Sequence, residues 1–130
     1  MVLDSSAIVA ILLGEPEAER FENLIAASPA PLISAGTLIE TGIVIDCLSR
    51  QPGTFDLDYW LLKTATEIVP VDATQAAIAR RAYTRYGKGR HPAGINFGDC
   101  FAYALAIARS EPLLFKGNDF SKTDAQICHI

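Results

Sequence analysis

Apolar residues along this chain follow two rhythms. Five short runs, "VLD" at the start and then "APLIS", "EIVPV", "PLLFK" and "AQICHI", are nearly continuous and too short for helices, so they read as strands buried on both faces. Between them apolar positions recur every three or four residues and predict helices. The first begins at a Ser5 or Ser6 cap and runs through Ile8, Val9, Leu12 and Leu13 to Gly14; the second begins at Pro16 and passes Phe21, Leu24 and Ile25 to about Ala27. "AGTLIETGIVIDCLSR" forms a third, stopped by Pro52 and Gly53, and Phe55 to Ala65 a fourth. Asp72 caps a fifth that ends at Tyr86, and after the loop "GKGRHPAG" Asn96 caps "FGDCFAYALAIARS". Strands alternating with helices predict the α/β class: about five parallel strands flanked by helices on both faces, in one domain over residues 1–130.

Composition sharpens this picture in three places. Of the 130 residues, 50% are hydrophobic and 20% charged, which excludes a disordered chain and leaves room for apolar partner surface around Ile8, Ile11, Leu12 and Phe21, although most of those side chains are expected to build the core. The N-terminal apolar run lacks a basic flank and a small-residue cleavage site and is too short to span a bilayer, so no membrane role is expected. Cys47, Cys100 and Cys128 match neither a zinc pattern nor a disulfide framework, which suits a reducing cytoplasm. The net charge of -4 argues against a general nucleic-acid coat protein, yet Arg80, Arg81, Arg85, Lys88 and Arg90 cluster beside His91. Such a cluster is a solvated helix face or a track for phosphates.

The acids carry the chemistry. Asp4 is the only charged residue in the first fourteen and interrupts core sequence, and burying an unpaired charge costs at least several kcal/mol. Ligands of open parallel sheets gather at the carboxyl ends of strands, where Asp4 ends the first strand and Asp119 follows "PLLFK". Glu40 falls on a helical stripe with Gly36, Ile43, Val44 and Cys47, and Asp99 in the first turn of the helix leading to "PLLFK". Singly, each has a bland reading: Glu40 as an edge residue or Arg partner, Asp99 as half of a capping box, Asp119 as an ordinary turn residue. Together they predict four repelling carboxylates at one sheet edge, a set that suits a hard cation such as Mg²⁺ or Mn²⁺. Two such ions about 4 Å apart can serve a phosphodiester displacement. Neither His91 nor His129 has a nucleophile partner that would argue for a different chemistry.

"MVLDSSAIVAILLGEPEAERF", "SAGTLIETGIVI", "HPAGINFGDCFAYALA" and "PLLFKGNDFSKTD" together closely resemble the PIN-domain toxins of the VapC family, the ribonuclease halves of type II VapBC toxin-antitoxin systems, over nearly the whole chain. The resemblance implies a divalent-metal-dependent endoribonuclease, usually dimeric, that cuts RNA, often tRNA or rRNA, and is neutralised by a cognate VapB-like antitoxin. Carried over position by position, the family's acids fall on Asp4, Glu40, Asp99 and Asp119, with Ser6 and Asn96 as secondary site residues. "GNDFSKTD" offers Asp124 as an alternative fourth acid, and Arg80 to Arg90 as a grip on the RNA backbone. Two other readings are weighed against this one. A haloacid-dehalogenase-like phosphatase also places an Asp after its first strand, but needs a second acid where Ser6 stands. A non-catalytic module would use the acids to hold a structural ion or a partner's Arg.

Overall fold

A computed structural model describes residues 1–48 and 55–128. Ten regular elements follow one another: β1 (Val2–Leu3), α1 (Ser5–Leu12), α2 (Ala18–Ala27), β2 (Leu32–Ser34), α3 (Ala35–Leu48), α4 (Leu57–Lys63), β3 (Glu67–Val69), α5 (Ala73–Tyr86), α6 (Phe97–Arg109) and β4 (Leu113–Leu114). A short 3-10 turn covers Phe120–Lys122. The strands pair in parallel in the order β3-β2-β1-β4, with Val2 opposite both Leu32 and Leu113, so β1 is central.

The α/β reading holds, with four strands where five were expected. "AQICHI" reaches β4 through a bridge between Leu113 and Ile127, flanked by hydrogen bonds from Leu113 to Gln126 and from Cys128 to Leu113. One bridge fixes no ladder, and the end of that run, including His129, lies outside the described residues, as do Pro52 and Gly53. α2 begins two residues after Pro16 and α4 is trimmed to Leu57–Lys63, capped by Asp56. Asp72 and Asn96 cap as expected.

Alternation along the strands sorts the core into two layers. Val2, Leu32 and Leu113 face one side, against Ala82, Tyr86, Tyr103 and Leu105 of α5 and α6. Leu3, Ile33 and Leu114 face the other, against Ile8, Phe21, Ile25 and Leu61. Ile8 and Phe21 are therefore core rather than partner surface, while Ile11 and Leu12 stay half-buried and Leu13 is exposed. α3 also differs from expectation. Its buried residues are Thr37, Thr41 and Ile45, while Ile39 and Ile43 stand in solvent. The helix is apolar nearly all round, so periodicity did not fix which stripe faces inward.

Candidate active site

The site is built at the carboxyl edge of β1 and β4, where the first turns of two helices arrive. Asp4 follows β1 directly and is itself the N-cap of α1, in place of the Ser5 or Ser6 cap expected from the sequence. A carboxylate caps well because it accepts an otherwise orphaned amide at the positive end of the helix. Its Oδ2 accepts the Ser6 amide at 3.0 Å and the Ser6 hydroxyl at 2.5 Å. The Ser6 Oγ accepts in turn the Lys116 amide at 2.9 Å, so one hydroxyl ties Asp4 to the segment that leads from β4 to Asp119. Asp4 is only 2% exposed, and its Oδ1 is buried without a partner among the described residues. Burial pushes its carboxyl above the ordinary range; the bonds from Ser6 and Ser5 oppose that shift, and the charge of Asp119 adds to it.

Asp99 is held by a reciprocal box at the start of α6. Its amide donates to Asn96 Oδ1 at 2.9 Å, and its Oδ2 accepts the Asn96 amide at 2.8 Å. The capping reading therefore holds, and it does not compete with a role in the site, since the box uses only one of the two carboxylate oxygens. Burial pushes Asp99 up to about 6, against the Asn96 bond, and the charges of Asp4, Asp119 and Glu40 push the same way.

Glu40, on α3, is half-buried, with Oε2 buried and unpartnered among the described residues. Burial raises its pKa first and the charge of Asp4 second, while the Ser5 hydroxyl lowers it. Two glycines let α3 and α6 approach here: a Cβ at Gly98 would collide with the Glu40 carboxylate, and one at Gly36 with the Phe101 ring. Asp119 is exposed, makes no side-chain cap, and acts on Asp4 and Asp99 through its charge. Asp124 stands elsewhere. It accepts the Tyr103 hydroxyl at 2.5 Å and lies 3.4 Å from Arg85, and it is not among the charges acting on Asp4, Glu40 or Asp99.

Among the described residues no three His, Cys, Asp or Glu side chains close tightly enough to make a ready-formed metal cage. The donors nevertheless fit a hard cation: all are carboxylate oxygens, and two of them, on Asp4 and Glu40, are buried with nothing to satisfy them. The basic cluster divides. Arg80, Arg81 and Lys88 line a cavity of about 800 Å³ between α5 and α6. Arg85 turns to Asp124 and lies over the Tyr86 ring, and Arg90 is exposed in the loop after α5. Sequence reasoning missed Ser5, Gly98 and the Lys116 amide; the adjacency "NFGD" is the one local hint of Gly98, and nothing local marks the others.

The PIN domain family matches residues 1–126. A ribonuclease VapC from Mycolicibacterium smegmatis is 51% identical over 129 residues, covering 99% of this chain and 100% of that protein. Among solved structures, Mycobacterium tuberculosis VapC20, described as a sarcin-ricin loop cleaving toxin, superposes with a TM-score of 0.75 at 17% identity over 95% of both chains. A toxin-antitoxin complex from Klebsiella pneumoniae gives 0.70 at 16% identity, covering 98% of this chain and 95% of that one. No helix among the described residues is long and apolar enough to cross a membrane. By fold and by identity along nearly its full length, the chain belongs to the PIN-domain family, within the VapC ribonucleases that form the toxin half of type II toxin-antitoxin systems.

Proposed function

We propose that this VapC-family chain hydrolyses RNA phosphodiester bonds at Asp4, Glu40, Asp99 and Asp119, which hold a divalent cation, Mg²⁺ or Mn²⁺. The observation that carries the reading is the orphaned Oδ1 of Asp4, a carboxylate oxygen sealed from water with no protein donor. A fold keeps such an atom at a cost of several kcal/mol unless a ligand completes it. When bound, the cation lowers the pKa of a water and stabilises the negative charge that builds on the phosphoryl oxygens.

The chain's own residues set the geometry. Asp4 and Asp99 offer the rigid donors, because each has one oxygen fixed by a helix cap and the other free of it. Glu40 approaches across the Gly98 gap, and Asp119 supplies an exposed fourth carboxylate on the turn after β4. Ser6 and Asn96 are positioning residues for Asp4 and Asp99. Asp124 belongs to the packing of α6, and the fourth acid is Asp119. Ser6, bonded to both Asp4 and Lys116, leaves no acid where a phosphatase of the dehalogenase type needs one, which removes support for that reading.

Arg80, Arg81 and Lys88 grip the RNA backbone by charge, which gives salt-dependent binding. A VapB-like antitoxin is the partner, supported by the toxin-antitoxin complex among the structural neighbours. In this reading the toxin is a homodimer acting in the cytoplasm on a structured RNA such as tRNA or rRNA. The test is to incubate purified, antitoxin-free chain with total RNA in Mg²⁺, in Mn²⁺ and in chelator, beside Asp4→Asn and Asp99→Asn. Cleavage in either metal and none in chelator or in the variants is expected. Chelator-resistant cleavage, or full activity in both variants, would overturn it.

A further inference from the structure

The cavity between α5 and α6 is unlike the rest of the surface. Its wall is aromatic, with Tyr83, Phe97 and Phe101, and its rim carries Arg80, Arg81 and Lys88. Phe97 is 77% exposed, an unusual state for the largest purely apolar side chain, and is braced edge-to-face on Phe101 with ring centroids 5.0 Å apart. Phe101 in turn lies over Gly36 of α3, so the platform is backed by helix on both sides. Asn96, which also lines the cavity, is the residue whose side chain fixes Asp99. The platform therefore adjoins the acidic site through one short segment, Asn96 to Asp99.

A fixed, exposed aromatic face ringed by cations is the arrangement that takes a base and its phosphate, because every base has a face to stack and every phosphate a charge to meet. We propose that this cavity is a nucleotide subsite: it stacks one unpaired RNA base on Phe97 while Arg80, Arg81 and Lys88 hold the flanking phosphates. The subsite rests on the ribonuclease reading for its role in cleavage. It confers a preference for loops and bulges, since a base inside a duplex is already stacked on both faces and has none to offer. RNA fits the cavity better than a second copy of the chain does. Among the described residues no carboxylate lines it, so a two-fold contact through the same patch would bring like charges together.

Binding without metal separates this subsite from the chemistry. An RNA hairpin carrying 2-aminopurine in its loop, and a blunt duplex of equal length carrying it in a pair, are titrated in chelator with the full chain, Phe97→Ala, Phe97→Tyr and Arg81→Ala. The wild-type chain is expected to prefer the hairpin. Phe97→Ala should weaken hairpin binding about tenfold with little change for the duplex, and Phe97→Tyr should restore it. Arg81→Ala should weaken both and reduce the slope of affinity against salt. Equal hairpin affinity in Phe97→Ala and wild type would overturn the proposal. So would light scattering showing that Phe97→Ala turns a dimer into a monomer while its hairpin affinity is unchanged, which would assign the face to contact between copies. Failure of wild-type chain to cleave total RNA in Mg²⁺ would strike the ribonuclease reading and leave this binding result standing.

Discussion

Asp4 and Asp99 are tied into helix caps, whereas Glu40 and Asp119 are not. Each of the first pair sits at a helix N-terminus, uses one oxygen to cap it, and is held by a small polar neighbour, Ser6 or Asn96. Glu40 reaches in from the side of α3 with an unsatisfied oxygen, and Asp119 stands in solvent on a turn. The difference teaches that a helix cap can do two things at once: the same bond that starts the helix also holds the carboxylate in place and leaves its second oxygen outside the cap. Rigid donors define where a cation sits, and adaptable ones close around it.

The strongest way to break the comparison is to remove charge while keeping shape. Asp4→Asn and Asp99→Asn should each lower RNA cleavage at least ~100-fold, while Asp119→Asn should lower it only about tenfold, as measured by initial rates on one labelled RNA in Mg²⁺. Equal losses at all three positions would erase the distinction between capped and uncapped acids. Asn still accepts the Ser6 amide, so Asp4→Asn keeps its cap and the fold.

Loss of the orienting groups comes next. Ser6→Ala removes both a donor to Asp4 and an acceptor for Lys116, and should cost about 1–2 kcal/mol in urea unfolding. Its rate of cleavage should fall through kcat with little change in KM, because the acid is misplaced while the RNA grip is intact. Asn96→Ala should behave alike at Asp99, with a loss of about 1 kcal/mol.

The smallest effect is on stability against pH. Asp4, Glu40 and Asp99 all have raised pKa values, led in each case by burial, and Asp99 stands at about 6. An acid that binds its proton more tightly folded than unfolded favours folding at low pH, and that contribution declines as pH rises from about 4 through about 6. In chelator, thermal melts should therefore show Asp99→Asn gaining a few degrees over wild type at pH 7 and nothing near pH 4. A gap that widens toward acid would show that Asp99 is stabilised as the anion, contrary to its burial.

Much of this was legible in the sequence because the signals are local. Strand runs, the Asp72 and Asn96 caps and the placement of Asp4 after a strand need only neighbours along the chain. Asp119 followed from the rule that ligands gather at strand ends. What failed depends on packing between distant segments. Ile8 and Phe21 could not be told apart from the half-buried Ile11 and Leu12 because helical periodicity does not say which of two apolar faces is inward, and α3 misled for the same reason. The last run did not become a fifth strand, since its apolar pattern carries no information about how many ladder bonds a partner offers. The basic cluster looked like one unit, but Arg85 and Arg80 lie on different sides of α5, so only part of it meets the aromatic cavity.

The Ser6 to Lys116 bond joins residues 110 positions apart. Closing a loop of that size is among the slowest and latest kinds of event in folding, because the entropy of the whole intervening chain must be spent before the contact returns anything. While the chain is being synthesised, the segment carrying Asp119 has yet to emerge when β1, α1 and α3 are already outside the ribosome. Asp119 thus joins Asp4, Glu40 and Asp99 only after synthesis has passed β4, and with the site proposed above the nascent chain stays inactive until then.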